Sequence, residues 1–153
     1  MNDIIPVPLN IIMVITTTTT ALIAGLFYAY SCSVNLGLGR LTDIEYLKAM
    51  KSINKAILNP VFFISFFGTA LLLPLSTFLF YEQPLLDRFL ILLASTIIYL
   101  IGVLGVTIFG NIPLNNSLDS FNLQSASQDA IATHRVKFEG PWNNLNTIRT
   151  IAF

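Results

Sequence analysis

The side chains best suited to chemistry lie near the carboxyl end of this 153-residue chain. At 100° per residue of a helix, five of them fall within roughly a third of the circumference. They are Trp142, Asn143, Asn146, Arg149 and Thr150. A guanidinium and amides on one face predict contact with protein or a water-filled cavity, because charge facing lipid is costly. The alternative is an interfacial position, with Arg149 reaching lipid headgroups and Trp142 in an aromatic belt.

Asparagines elsewhere in the chain extend this polar set. Helix ends leave backbone groups unsatisfied, and capping them is the simpler role for such residues. The alternative is a polar pocket at the mouth of an apolar bundle, suited to a mostly apolar ligand with a few polar atoms. The predicted pocket residues are Asn54, Asn59, Asn111, Asn115, Trp142, Asn143, Asn146 and Arg149.

Three residues are candidates for catalysis: His134, Glu139 and Arg149. His134 is the only histidine, and its ordinary pKa suits a base at neutral pH, although an exposed loop position is the simpler interpretation. Glu139 has three alternatives: a base, a partner of Arg149 or Arg135, or a cap of the last helix. No metal site is predicted, because one histidine, one cysteine and no suitably spaced carboxylates make a poor ligand set.

The elements that position these residues are apolar. No Asp, Glu, Lys or Arg occurs in residues 11–34, 57–81 or 89–110. About 20 apolar residues in a helix cover the hydrocarbon core of a bilayer. Only 10% of the residues are charged, whereas an average globular domain has about 25%. The chain is therefore predicted to be one integral membrane domain over residues 1–153, and its zero net charge gives no basic surface for nucleic acid.

The connecting segments carry their own helix signals. Thr42 with Glu45 predicts a capping box, followed by a basic amphipathic helix whose apolar side includes Asn54. The third apolar run is expected to end at residues 110–113, where glycine and proline occur together. Ser125 with Gln128 predicts a short helix to about Glu139, which the glycine and proline at 140–141 then break.

A last helix is expected to begin at Pro141. Its 13 residues to Phe153 span about 20 Å, which is too short to cross a bilayer. The predicted fold is therefore an all-α transmembrane four-helix bundle. It has three full spans, a fourth that is cut short, and short amphipathic helices on the cytoplasmic side.

Lysine and arginine predict the orientation. Residues 1–10 contain neither, the first connection has four, and the second has only Arg88. An outside N-terminus is therefore predicted, with residues 35–56 and 111–140 at the cytoplasmic face of a bacterial cytoplasmic membrane. Small residues recur every fourth position at Thr17, Ala21, Gly25 and Ala29, which suits close helix packing within the chain or against a second copy.

Four stretches carry a resemblance to a known family. They are AGLFYAYSCSV (24–34), AMKSINKAILNPVFF (49–63), FGNIPLNNSL (109–118) and FEGPWNNLNTIRT (138–150). Through them the chain resembles the anthrone oxygenase-like family of small membrane proteins. The last two stretches are the more specific. The resemblance implies a four-helix membrane bundle with a full fourth span.

The resemblance also implies a chemistry. Fungal members are associated with oxidising anthrones to anthraquinones by molecular oxygen, without metal or flavin. Such a protein supplies a base, donors for an oxyanion and a dry pocket. Carried onto this chain, the resemblance implies that Trp142 forms a flat wall and that the donors are Asn111, Asn115, Asn143, Asn146 and Arg149. Thr147 stands where some members have histidine, which leaves His134 or Glu139 as the base.

Two functions follow as hypotheses. The first is a membrane-embedded site for a lipophilic, aromatic or quinone-like molecule, with cofactor-independent oxygenase activity. The second is a non-catalytic bundle that binds or moves a lipophilic compound, or supports a partner complex. The expected partners in either case are the small molecule and membrane lipids, with self-association left open.

Overall fold

The structure, a computed structural model, describes residues 7–81 and 86–153. The sequence predicts an N-terminus on the outer side of the membrane. Part of that prediction rests on residues 1–6, which are not among the described residues. Within the described ranges the chain is helical, without strands. In chain order the elements are α1 (Val7–Ala29), π1 (Tyr30–Val34), α2 (Asn35–Leu38), α3 (Asp43–Ala56), α4 (Pro60–Tyr81), α5 (Leu86–Ile98), π2 (Tyr99–Gly105), π3 (Thr107–Asn111), α6 (Ile112–Ser120) and α7 (Gln128–Ile151).

Three of the described helices are long and apolar enough to cross a membrane. They are the continuous helix Val7–Leu38, the helix Pro60–Tyr81 and the continuous helix Leu86–Ser120. The first and third contain the uncharged runs 11–34 and 89–110, and the second covers residues 60–81 of the run 57–81. This confirms that the runs form long helices compatible with a membrane protein. The first and third extend well beyond the predicted runs at their carboxyl ends.

The three long helices pack through apolar clusters and a few hydroxyl contacts. The buried members of the main cluster are Ile23, Phe27, Phe66, Leu73, Tyr99 and Val103. Leu9, Phe80 and Leu92 form a smaller one. Hydroxyl groups join the helices in pairs: Thr16 lies 3.0 Å from Ser76, and Thr77 lies 2.8 Å from Thr96. Between apolar helices such hydrogen bonds contribute to association together with close packing.

A second cluster joins α3, α6 and α7 at the other end of the long helices. Its buried members are Tyr46, Leu47, Met50, Leu118, Ile131, Phe138 and Trp142. The predicted capping box is confirmed: the backbone N–H of Thr42 donates to Glu45 Oε2 at 3.1 Å. Hydrogen bonds from the Thr42 hydroxyl and backbone lower the pKa of Glu45. Because Tyr46, Leu47 and Met50 are all in this cluster, it is the apolar face of α3 that packs against α6 and α7.

The prediction that the third long helix ends at residues 110–113 is wrong. The chain remains helical through Ser120, by way of π2, π3 and α6. In the π-helical segments the hydrogen bonds join residues five apart, so α6 begins a new pattern at Ile112. Pro113 then occupies its first turn, where the missing N–H costs little.

The predicted helix break at Gly140 and Pro141 is also wrong. α7 is one helix from Gln128 to Ile151 with Pro141 inside it. Phe138 and Trp142, on either side of the proline, are both buried in the second cluster, so tertiary packing holds the two halves in line. The helix also begins later than predicted, because Ser127 rather than Ser125 caps it, accepting from the backbone N–H of Ala130 at 3.3 Å.

Two glycines on different helices provide a test of how closely α7 packs. A Cβ added to Gly110 would lie 2.8 Å from Leu145 Cδ1, whereas one added to Gly25 would meet nothing within 4 Å. Gly110→Ala is expected to lower the free energy of unfolding by about 1–3 kcal/mol through overpacking. Gly25→Ala, the matched control, should stabilise α1 by up to about 1 kcal/mol.

The measurement is thermal unfolding in detergent micelles, followed by circular dichroism. Equal unfolding midpoints for the two alanine variants would show that α7 does not approach π3 as closely as the structure has it.

Candidate functional site

The carboxyl-terminal half of α7 places a polar group at the centre of the packed helices. Asn146 is fully buried and Arg149 is 5% exposed. Arg149 donates from Nη2 to Asn146 Oδ1 at 3.0 Å and from Nη1 to Thr107 Oγ1 at 3.3 Å. Asn146 in turn donates from Nδ2 to Ser31 Oγ at 2.9 Å. α7 is thereby joined to both π1 and π3 by side chains of one network.

Aromatic rings lie on the Arg149 guanidinium. Its Cζ is 4.3 Å from the ring centroid of Phe27 and 5.5 Å from that of Trp142. Cation–π contacts of this kind are stronger where water is excluded. Within the described residues no carboxylate forms an ion pair with Arg149. The charge is therefore held by neutral hydrogen-bond partners and π faces alone.

A cavity of about 140 Å³, here the inner cavity, lies beside this network. Aromatic and aliphatic side chains form most of its wall: Leu26, Phe27, Tyr30, Ile53, Ile57, Leu58, Phe62, Phe63, Phe66, Phe67, Ile112 and Trp142. Its polar lining consists of Asn54, Thr107, Asn111, Asn115, Asn146 and Arg149. Six of the eight predicted pocket residues thus meet at one cavity, although they come from α3, π3, α6 and α7.

Several polar atoms of the lining are buried without a hydrogen-bond partner. They are Asn54 Nδ2, Asn111 Nδ2, Asn111 Oδ1 and Arg149 Nε. Leaving such groups unpaired costs about 1–3 kcal/mol each, so buried polar atoms in folded proteins nearly always have partners. Three donors and one acceptor of the described lining residues are therefore unpaired within the protein.

A second cavity adjoins the first. This outer cavity, of about 260 Å³, shares Asn54, Ile57, Leu58, Ile112 and Asn115 with the inner one. Its remaining lining comes from α3 and α6 and is polar or charged except for one leucine: Lys51, Lys55, Asn116, Leu118 and Asp119. Because Lys55, Asn116 and Asp119 are exposed, the outer cavity opens at the surface.

The other two predicted pocket residues lie away from the inner cavity. Asn59 caps α4: its Oδ1 accepts from the backbone N–H of Phe62 at 3.0 Å, and its Nδ2 donates to the carbonyl of Ala56. Asn143 is half-buried on α7, and its Oδ1 has no partner among the described residues. Neither residue is part of the cavity wall.

The two candidate bases also lie away from the inner cavity. His134 stacks on Phe121 with ring centroids 4.1 Å apart. Burial is the main cause of the lowered pKa of its imidazole, and the positive charges of Lys137 and Lys51 lower this pKa further. Glu139 accepts a hydrogen bond of 2.7 Å from Arg135 Nε. Among the described lining residues there is no Asp, Glu, His or Lys. The inner cavity therefore contains neither of the bases expected from the sequence.

Arg135 organises the surroundings of Glu139. Its Nη1 donates to Asp43 Oδ1 at 2.9 Å and to the carbonyl of Leu41 at 2.8 Å, and its Nη2 donates to the carbonyl of Gly39. The guanidinium also lies 4.6 Å from the ring centroid of Tyr46. The hydrogen bond to Glu139 is the main cause of the raised pKa of Arg135. These contacts fix α7 to the turn before α3. The pair of Glu139 with Arg135 is one of the three roles that the sequence left open for Glu139.

The sequence reasoning missed Tyr30, Ser31 and Thr107. All three lie in π-helical segments, which often occur at functional sites because the extra residue in a turn redirects side chains. No simple sequence signal marks these bulges in an apolar helix. The motif AGLFYAYSCSV, quoted above for its resemblance, contains two of the three residues, Tyr30 and Ser31.

Fold and site together define a class of protein. The described chain is helical, three of its helices are long and apolar enough to cross a membrane, and a buried arginine faces a small aromatic cavity. The family model described as anthrone oxygenase matches residues 49–153, more than two thirds of the chain, so the chain belongs to the anthrone oxygenase family. Comparisons with curated proteins and with solved structures gave no significant match. In the described residues, no three His, Cys, Asp or Glu side chains are grouped as a metal site would require.

Proposed function

We propose that the inner cavity binds a lipophilic aromatic or quinone-like molecule within a membrane and oxygenates it without a cofactor. In this proposal the three long helices and α7 form a four-helix bundle in a bacterial cytoplasmic membrane. The N-terminus lies outside, and α3 and α6 lie at the cytoplasmic face. The observation that supports it most directly is the meeting of the Arg149 guanidinium and four asparagines at one aromatic-walled cavity.

The reaction follows from the chemistry of an anthrone. Loss of a proton from its activated CH₂ group gives an electron-rich enolate, which reacts with O₂. The former CH₂ carbon becomes a carbonyl carbon with one oxygen atom of O₂, and the other oxygen atom of O₂ leaves as water. In this proposal the lining residues Arg149, Asn54 and Asn111 donate to the enolate oxygen, and the aromatic wall limits water.

A second candidate function is non-catalytic binding or transport of a lipophilic compound. The observation that favours it is the composition of the cavity wall, where His134 and Glu139 are both missing from the described lining. Binding without proton abstraction needs only the apolar wall and the orienting donors.

Binding is tested by fluorescence of Trp142, which is the only tryptophan and lines the inner cavity. Titration of the purified protein in detergent micelles with emodin anthrone, under nitrogen, is expected to quench this fluorescence to saturation. Admission of air should then produce the anthraquinone faster than in micelles without protein. Quenching with an unaltered oxidation rate would favour the non-catalytic candidate. Linear, non-saturating quenching equal to that of free tryptophan in the same micelles would exclude both candidates.

A further inference from the structure

The inner cavity contains one full positive charge and no counter-charge. Arg149 is the only lysine or arginine of the described lining, and its hydrogen-bond partners, Thr107 and Asn146, are both neutral. An arginine remains protonated in proteins. Burial of a charge is costly unless the charge is paired and hydrogen-bonded, so an anionic ligand gains far more here than a neutral one.

The unpaired polar atoms of the lining also favour an anionic ligand. Asn54 Nδ2, Asn111 Nδ2 and Arg149 Nε are donors, and Asn111 Oδ1 is the one acceptor among the fully buried unpaired atoms of the described lining. An oxygen that carries negative charge accepts several hydrogen bonds at once, and bonds to a charged group are the strongest. A wall rich in unpaired donors beside a cation therefore suits an oxyanion better than an alcohol or a neutral ketone.

From these contacts we infer that the cavity acidifies its own ligand, binding a phenol or enol as the anion without proton abstraction by a protein base. The O–H bond breaks heterolytically, the electron pair stays on the oxygen beside Arg149, and the proton passes to water. This inference rests on the proposed function and defines its substrate class: acidic phenols and enols.

The outer cavity provides the route for the proton. It shares Asn54 and Asn115 with the inner cavity and reaches the exposed side chains Lys55 and Asp119 on the surface. Water in this cavity can take up the proton and exchange with solvent, so no histidine or carboxylate is needed at the reacting oxygen. Apart from Arg149, the only titratable group of the described inner wall is Tyr30, whose neutral hydroxyl is a further hydrogen-bond donor to a bound anion and not a base.

The size of the inner cavity narrows the ligand class. Sites for drug-sized ligands measure about 300–1,000 Å³, and the inner cavity is about 140 Å³. A single ring with its acidic oxygen is the portion that fits beside Arg149, and any further part of the ligand extends into the outer cavity. A one-ring phenol is therefore a suitable probe.

The experiment uses 4-nitrophenol, whose neutral and anionic forms absorb at different wavelengths. The full chain in detergent micelles is titrated with the probe, and Trp142 fluorescence reports occupancy. Absorbance across a pH series then gives the pKa of the bound phenol. 4-Nitroanisole, the methyl ether, cannot ionise and serves as the neutral control. The bound phenol is expected to have a pKa about one to three pH units below that of the phenol in protein-free micelles.

Four variants separate the contributions to this decrease. Arg149→Gln is expected to abolish it, and Arg149→Lys, which keeps the charge, to retain part of it. Asn111→Asp places a carboxylate beside Arg149 and should also abolish it by neutralising the cavity. Tyr30→Phe removes a neutral hydroxyl of the cavity wall and should keep most of the decrease, because the charge of Arg149 remains. Arg40→Gln removes an exposed cation and is the matched control, with no expected change.

The outcomes are distinguishable. Quenching by both probes with a normal or raised phenol pKa would overturn the acidification and leave the proposed binding function standing. Persistence of the lowered pKa in Arg149→Gln and Asn111→Asp would also overturn it. Loss of the decrease in Tyr30→Phe would show that a hydrogen bond from Tyr30, and not the charge of Arg149, stabilises the phenolate, and would also overturn the inference. Absence of saturable quenching by either probe would overturn the proposed function and this inference together.

Discussion

Arg149→Gln is expected to weaken binding of an acidic lipophilic ligand by about ten- to a hundredfold. A hydrogen bond to a charged group contributes about 1.5–3 kcal/mol, and each 1.4 kcal/mol is a factor of ten in affinity. The variant should also abolish any acceleration of anthrone oxidation, because the developing oxyanion loses its only cationic partner in the described wall. Saturable quenching of Trp142 measures the first effect, and the rate of anthraquinone formation under air measures the second.

The thermal stability of Arg149→Gln, in contrast to its ligand affinity, is not expected to decrease. Replacing a buried charge that lacks an ionic partner removes a desolvation cost, so the ligand-free variant should unfold at the same temperature or higher. Arg149→Lys is the charge-retaining control and Arg40→Gln the exposed one. A large loss of stability in Arg149→Gln, with ligand affinity unchanged, would assign Arg149 to the scaffold and not to the site.

Arg135→Ala is expected to lower the free energy of unfolding by about 2–3 kcal/mol. The side chain is 13% exposed and contacts two carboxylates, those of Asp43 and Glu139, as well as two backbone carbonyls. Hydrogen bonds to charged groups contribute about 1.5–3 kcal/mol, and removal of one partner leaves the others unpaired. Thermal unfolding in micelles measures the loss, which should appear without a change in the ligand pKa described above.

Lys55→Ala is the matched control for this prediction. Lys55 and Asp119 form an ion pair of 3.9 Å with side chains 76% and 65% exposed. Exposed pairs of this kind contribute little, so no measurable change in unfolding is expected. Similar losses in Lys55→Ala and Arg135→Ala would show that the contacts of Arg135 are not the source of its effect.

The contrast between the two arginines on α7 is informative about function. Arg135 is surrounded by acceptors and lies next to carboxylates, as a structural arginine does. Arg149 is more deeply buried, lies between aromatic rings and faces a cavity whose described wall has no anion. Proteins retain costly buried charges mainly where the charge has a task, and perturbed groups cluster at functional sites.

Much of the site was accessible from residue spacing. The helical period placed Trp142, Asn146 and Arg149 on one face of α7, and the structure brings all three to the inner cavity. The same period placed Asn54 on the apolar side of α3, where it also reaches this cavity. Such predictions succeed because the side-chain direction of a regular helix depends only on position in the chain.

The failures occurred where backbone regularity is interrupted. Residues 110–113 and 140–141 carry strong stop signals, yet the helices continue through both. In the first case the π-helical segments shift the hydrogen-bond pattern, and in the second the buried side chains of Phe138 and Trp142 hold the helix together. Local propensity is a weak prior, and tertiary packing overrides it at such positions.

The residues alone predict three long helices compatible with a membrane and define the polar groups that the protein can use. Uncharged runs of about 20 residues or more have the length and apolar composition of membrane-spanning helices, whatever their arrangement. Which polar groups share a cavity depends on how the helices pack. Asn111 and Arg149 line one cavity because π3 packs against α7, and spacing along either segment does not predict this contact. His134 and Glu139 lie elsewhere because α7 continues through Pro141, so that both lie several turns before Arg149 on one helix.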